Sequence, residues 1–324
     1  MAAEAGVSSF GFRLSSSGAR FVVLALAIAV AGGCVSTRSA PIEARFDTQM
    51  ALLEKRCACR LGLAARHLES GRSYNWRSDD IFESASVIKI AILTEVMAGV
   101  QSGRINLSER WTLTAEGKAD GSGTLLILDP GLNPTWNDLV TLMIGPSDNT
   151  ATNAWIERLG IEAINARMAS LGFRKIHLYA LLPAYSRRNE NPSAWAGLRL
   201  GDLSPGEVAE WMARVTTGVL LDPDSSARIF EYLDKDPSRL RIARRFGSEF
   251  LWAGKTGSMR GVRNDSGILR TRKGRFVLAV LTDGSRADAP SSADHPSVLA
   301  IADAAKLVVD AWSAVLPDLG NKPR

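Results

Sequence analysis

Strand-forming segments stand near both ends of this chain, helix-forming segments fill the middle, and that order narrows the fold more than any other feature. Near the front, Arg60 to Leu68 and Ser73 to Trp76 flank Glu69-Ser70-Gly71 and predict a hairpin. Near the back, Leu251–Thr256, Val262–Leu269 and Phe276–Thr282 predict three strands parted by turn formers. Between them, Trp136–Ile144, Thr150–Leu159, Ile161–Leu171, Pro205–Thr216 and Ser225–Tyr232 carry helical spacing. Asp47 to Arg56 and Pro296 to Val315 add amphipathic helices at either end. The expectation is an α+β fold: an antiparallel sheet of about five strands built from both terminal regions, flanked by helices, with an all-helical lobe inserted.

At 324 residues the chain can bury a large core. With 46% hydrophobic and 23% charged residues it has the composition of a globular protein. The first 33 residues read differently. Arg13 and Arg20 precede the apolar run Phe21 to Val30, then Ala31-Gly32-Gly33 leads to Cys34. This is the pattern of an export signal, too short to anchor stably across a bilayer. Small residues directly before a cysteine fit a bacterial lipoprotein processing site with Cys34 lipidated; an ordinary signal peptide cut nearby is the other reading. The expected division is a signal peptide at 1–33, a tether at 34–45, a folded domain at 46–318 and a tail at 319–324. Within that domain, 46–83 and 246–318 form the sheet-bearing lobe and 84–245 the helical lobe. The expected location is periplasmic or cell envelope, anchored through Cys34.

Cys57 and Cys59 are separated by one residue, so a mutual bridge closes a small, strained ring; they read as free thiols or as an uncommon disulfide. The three histidines, His67, His177 and His295, have no metal-ligand spacing with one another or with the cysteines, so no metal is expected. A formal charge of +5 is too mild to imply nucleic acid. Arg239, Arg241, Arg244 and Arg245 share helical spacing and read as a solvated face, with attraction to anionic envelope polymers the weaker reading. The chain is expected to be monomeric.

Three short motifs carry the chemistry: Ser86-x-x-Lys89, Ser147-Asp148-Asn149 and Lys255-Thr256-Gly257, in that order. Each is common by chance, but their order, separation and flanks are not. Together they resemble the serine β-lactamase and penicillin-binding superfamily, and within it the class A β-lactamase branch. The likeness runs from Ser147-Asp-Asn-Thr-Ala151 into Asn153-Ala-Trp-Ile-Glu-Arg-Leu-Gly160, and again through Gly257-Ser-Met-Arg-Gly261-Val-Arg-Asn-Asp265. It covers roughly residues 45 to 318 and implies a β-lactamase/transpeptidase-like fold.

The residues themselves fit such chemistry. Ser86 opens Val87 to Met97, a helix apolar nearly all round, where unpaired N–H groups favour an attacking oxygen anion. Lys89, three residues on, shares a face with Ser86. Burial there would lower its pKa and make it a base; snorkelling to solvent is the alternative. Ser147 follows Gly145-Pro146 and reads as a turn or N-cap residue, and Asp148 as structural. The resemblance gives Ser147 the proton shuttle to the leaving nitrogen and sets Asn149 toward the substrate or Lys89. It gives Lys255 and Thr256 the substrate carboxylate, and the N–H groups of Ser86 and Ser258 the oxyanion hole. Gly257 would let a substrate backbone approach the strand edge. Arg263 either assists the carboxylate or is a surface strand charge.

One element of the class A pattern is missing. The deacylating loop signature Glu-x-x-Leu-Asn is absent, and Arg187-Arg-Asn-Glu190-Asn-Pro-Ser-Ala-Trp195 occupies that region. Glu190 is the candidate base, against an exposed loop carboxylate. The expected function is a class A-like serine β-lactamase that opens the lactam amide through a Ser86 acyl-enzyme, without cofactor. The alternatives are a D-alanyl-D-alanine peptidase-like cell-wall enzyme, or a penicillin-binding protein that acylates without turnover. The expected partner is thus a small β-lactam or D-alanyl peptide.

Overall fold

The computed structural model describes residues 42–183, 199–247, 250–285 and 292–320. The expected signal peptide, Cys34 and Glu190 fall outside these residues.

The chain opens with helix α1 (Ile42–Cys57), followed by β1 (Arg60–His67) and β2 (Ser73–Trp76). It closes with β6 (Leu251–Met259), β7 (Val262–Thr271), β8 (Gly274–Asp283) and helix α8 (Pro296–Ser313). These five strands form one antiparallel sheet in the order β2-β1-β8-β7-β6, so the two terminal regions meet where β1 pairs with β8. The last residues of the tether expected at 34–45 are instead helical, from Ile42 onward. Phe46 explains the extension: it is buried and meets Tyr74 edge-on, 4.9 Å between ring centres. Burying a ring of that size contributes roughly 1.5–3 kcal/mol, enough to hold an extra helical turn that local propensity leaves open.

β8 is buried on both faces, and its alternation sorts two cores. Phe276, Leu278 and Val280 join Phe46, Met50 and Leu53 of α1 and Ile301, Ala305, Val308 and Trp312 of α8. Val277, Ala279 and Leu281 join the helical side. That side is built by α2 (Lys89–Gln101), α3 (Trp136–Ile144), α4 (Asn149–Leu159), α5 (Ile161–Ser170), α6 (Pro205–Thr217) and α7 (Pro223–Leu233). Helix α2 runs through its middle, buried from Lys89 to Gly99. Caps set the helix starts: Asp148 accepts from the Ala151 N–H, Ser204 from Glu207 and Asp222 from Ser225, with Pro205 and Pro223 in the first turns.

A second, three-stranded sheet was not expected. It joins β3 (Phe82–Glu83), β5 (Gly201–Leu203) and β4 (His177–Leu178), in that order. Strands of two and three residues are too short to show alternation, and their pairing partners lie far off in sequence. The sheet matters because Ser84 N–H donates to Gly201 O at 2.9 Å, fixing the approach to Ser86.

Cys57 and Cys59 are joined by a disulfide. Ala58 between them takes a φ of +46°, which turns the chain back sharply enough for the two side chains to meet. Among the described residues, no helix is long and apolar enough to cross a membrane.

Candidate active site

Ser86 lies in a 3-10 turn, Ala85–Ile88, that feeds α2 at Lys89. Ala85 has a φ of +43°, an uncommon conformation for a residue with a side chain, and Ser147 has another at +60°. Strained backbone of this kind persists where the surroundings impose it, and both residues border the same cleft.

Lys89 is fully buried and does not snorkel. Its Nζ lies 2.7 Å from Ser147 O, 3.1 Å from Ser147 Oγ and 2.9 Å from Asn149 Oδ1. Burial holds its pKa well below the ordinary lysine value, and the charge of Lys255 pushes in the same direction; Asp148 opposes them weakly. Asn149 is fixed in turn, its Nδ2 donating to Asp120 O at 2.7 Å and its own N–H to Ser122 O. Ser147 precedes the helix cap instead of being it. Asp148 takes the cap, accepting from Ala151 N–H with one oxygen and from Leu125 N–H with the other. Its structural role is as expected.

On the facing side, β6 is the edge strand of the large sheet. Thr256, Gly257 and Ser258 line the cleft, whereas Lys255 lies beneath it, fully buried, 3.8 Å from Asp236 Oδ2. Asp236 also accepts from the Thr256 N–H at 3.1 Å and hydroxyl at 3.2 Å, and spacing in the sequence contained no signal for it. Gly257 is needed for contact: a Cβ there would sit 3.1 Å from Ser86 N and 3.2 Å from Ala85 Cβ. Arg263 is 2% exposed, so it is not a surface strand charge; it lines the cleft and donates to Met259 O and Val262 O.

The arginine cluster is not one solvated helical face. Arg241 precedes a 3-10 turn, Ile242–Arg245, and its guanidinium reaches the β6–β7 ladder, donating to Gly257 O at 2.8 Å, to Asn264 O and to Ser258 Oγ. Arg244 instead meets Asp294 at 2.6 Å, Arg245 meets Asp303 at 2.9 Å, and Arg239 is exposed. A helix would have held the four side chains outward, but the carbonyls around β6 and the buried Asp265 offer Arg241 partners that outcompete water. Asp265 accepts from Ile242 N–H at 2.9 Å, and burial pushes its carboxyl up to about 7 against the opposing pull of Arg241. Sequence reasoning missed Arg241 and Asp265 as part of the site because their juxtaposition exists only across the sheet.

Ser86, Ser147, Asn149, Thr256, Ser258 and Arg263 thus border one cleft of about 380 Å³, with Lys89 and Lys255 buried beside it. Residues 45–312 match the profile of the beta-lactamase enzyme family. The chain belongs to that family.

Relatives support the membership at moderate distance. The β-lactamase of Rhodobacter capsulatus is 30% identical over 219 residues, 62% of this chain and 73% of that protein. The β-lactamase of Streptomyces albus G is 29% identical over 252 residues, 75% of this chain and 78% of its own. Among solved structures, the β-lactamase from Sphaerobacter thermophilus superposes with a TM-score of 0.73 at 30% identity, covering 85% of this chain and 98% of that one. PBP-A superposes with a TM-score of 0.71 at 26% identity, covering 83% and 96%, and a variant of it is known as an acyl-enzyme complex with penicillin G. The fold is therefore that of the class A β-lactamases and their transpeptidase-like relatives, as the motif order implied.

Proposed function

We propose that this protein hydrolyses β-lactams through an acyl-enzyme on Ser86. The observation that carries the reading is the set of acceptors around Lys89. Two of them, Ser147 O and Asn149 Oδ1, can only accept hydrogen bonds; the third, Ser147 Oγ, can also donate. A neutral amine has two N–H groups and one lone pair, and this surrounding suits it: the N–H groups go to the two obligate acceptors, and the lone pair faces a hydroxyl proton. The Ser86 proton then passes through the Ser147 hydroxyl to Lys89 as Ser86 Oγ bonds to the lactam carbonyl carbon. The C–N bond breaks as the Ser147 hydroxyl hands its proton to the departing nitrogen and takes one in return from Lys89, which ends the step neutral. Backbone N–H groups of Ser86 and Ser258 receive the developing oxyanion. Thr256 and Arg263 meet the substrate carboxylate, with Lys255 supplying positive potential from behind and Arg241 steadying Ser258.

Deacylation needs a base that holds a water against the ester carbon, and Glu190 is the candidate. A second reading, a penicillin-binding or D-alanyl peptidase-like enzyme, is favoured by the missing Glu-x-x-Leu-Asn pattern and by the likeness to PBP-A. Export with lipidation at Cys34 belongs to the proposal, as does a monomeric state. Export is supported by the charge and apolar pattern of residues 1–33 and by the Cys57–Cys59 disulfide, since disulfides persist in oxidising compartments.

Intact-protein mass measurement after adding penicillin G, together with nitrocefin turnover, tests this reading. A transient adduct with catalytic nitrocefin opening is expected. A persistent adduct without turnover would favour the penicillin-binding alternative, and release of D-alanine from a muropeptide the peptidase. No adduct at all would remove Ser86 as the nucleophile.

A further inference from the structure

Asn264 stands on β7 directly opposite Gly257 of β6, and it is fully buried. Its Nδ2 donates to Glu83 O at 2.8 Å and Ser84 O at 3.0 Å, and its Oδ1 accepts from Thr282 N–H at 3.0 Å. These partners leave one orientation for the carboxamide, because flipping it would set its oxygen against two carbonyl oxygens. Its backbone carbonyl accepts from Arg241.

The two clamped carbonyls lie immediately before Ala85 and Ser86. Ala85 carries the positive φ of the turn, a costly conformation that holds only if its neighbours enforce it. Two buried hydrogen bonds to the carbonyls just before it supply that enforcement. On the other side, the backbone ladder of Asn264 sets the height of Gly257 and, one residue on, Ser258. The closeness of Gly257 to Ser86 N leaves little slack between strand and turn.

We infer that Asn264 is the positioning residue for the oxyanion hole, its carboxamide holding the Ser86 turn and its backbone holding the Ser258 strand so that the two N–H groups converge. The inference rests on the reading of Ser86 as the acylated nucleophile. It differs from a general packing role because it predicts a loss confined to the tetrahedral species. Removing or misplacing an oxyanion donor by about 1 Å costs on the order of 10²-fold in rate.

The test compares the unaltered protein with Asn264→Ala and Asn264→Asp, the latter keeping the acceptor for Thr282 N–H while losing both donors. Four quantities are read: the single-turnover acylation rate with nitrocefin, KM against kcat, the affinity of a phenylboronic acid that forms a tetrahedral adduct on serine, and the Tm with and without it. Acylation and boronate affinity should each fall about 10–100-fold in both variants, with KM moving less than about threefold. Where a variant is destabilised, the boronate-induced rise in Tm should still shrink relative to the unaltered protein. Wild-type acylation and boronate binding per folded molecule in either variant would overturn the inference. If the unaltered protein takes up nitrocefin without forming any serine adduct, the functional reading falls first and this inference falls with it.

Discussion

Lys89 and Ser147 meet twice: the lysine Nζ lies 2.7 Å from the serine's carbonyl oxygen and 3.1 Å from its hydroxyl. A residue in ordinary helical or extended geometry rarely turns both groups toward one point. Ser147 does so with a φ of +60°, held by Asp148, whose carboxylate fixes Ala151 and Leu125, and by Ser122, whose hydroxyl donates to Ser147 O at 2.7 Å. The proposed base and the proposed proton shuttle are therefore set by one strained turn.

Lys89→Met should abolish acylation, by about 10²–10⁴-fold, and raise stability. The sign follows from burial. Lys89 in the folded protein is held below its ordinary pKa, so the unfolded chain binds the extra proton, and stability rises with pH between the folded and unfolded values. Thermal unfolding from pH 6 to 10 should show that rise in the unaltered protein and lack it in the variant. A variant that melts earlier at neutral pH would contradict the penalty assigned to the buried amine.

Ser147→Gly and Ser147→Ala should separate chemistry from strain. Both lose the hydroxyl and should slow nitrocefin opening by at least about 10²-fold. The left-handed turn costs an alanine about 1–2 kcal/mol and a glycine very little. After allowing for glycine's greater unfolded freedom, Ser147→Gly should be more stable than Ser147→Ala by about 0.5–1 kcal/mol in denaturant titration. A Ser147→Ala variant more stable than Ser147→Gly would mean the turn is unstrained.

Arg241→Ala should raise KM more than it lowers kcat, on the order of 10-fold, because it frees Ser258 Oγ and removes positive charge behind the carboxylate site. Arg241→Lys should recover little, since one ammonium cannot serve Gly257 O, Asn264 O and Ser258 Oγ from a planar fork. Steady-state kinetics on all three proteins decides this, and full recovery by lysine would leave charge alone as the explanation.

Asp265→Asn should flatten the pH dependence of stability between about pH 4 and pH 7. Burial raises the Asp265 carboxyl from 3.8 to about 7, so the folded protein holds a proton that the unfolded chain has lost in that window. The stability tied to that proton is present in acid and lost as pH rises through the folded value. The charges of Arg241 and Asp236 act on this carboxyl, and it acts in turn on the Lys255 ammonium. The variant keeps an acceptor for Ile242 N–H and should gain on the unaltered protein by about 2–3 kcal/mol from pH 5 to pH 8. Urea titrations at the two pH values measure the difference, and parallel curves would place the acid's pKa elsewhere.

Sequence alone determined the class of fold and the motifs, because both are written in local patterns: strand-like runs bounded by turn formers near both ends, apolar spacing in the helices, and three short signatures in a fixed order. A cap before the helix was legible too, though on Ser147, one residue ahead of Asp148, which takes it. Tertiary structure decided what no local pattern encodes. It extended α1 through Phe46, paired strands too short to read, closed Cys57 onto Cys59, sank Lys255 behind the cleft and drew Arg241 out of an apparently solvated cluster into the β6–β7 ladder. The physical reason is common to these cases: each depends on burial beside a partner distant in the chain, where a carbonyl, carboxylate or aromatic ring offers more than water does. Asn264 is the sharpest example, since its function lies in joining Glu83 and Ser84 to a strand 180 residues later.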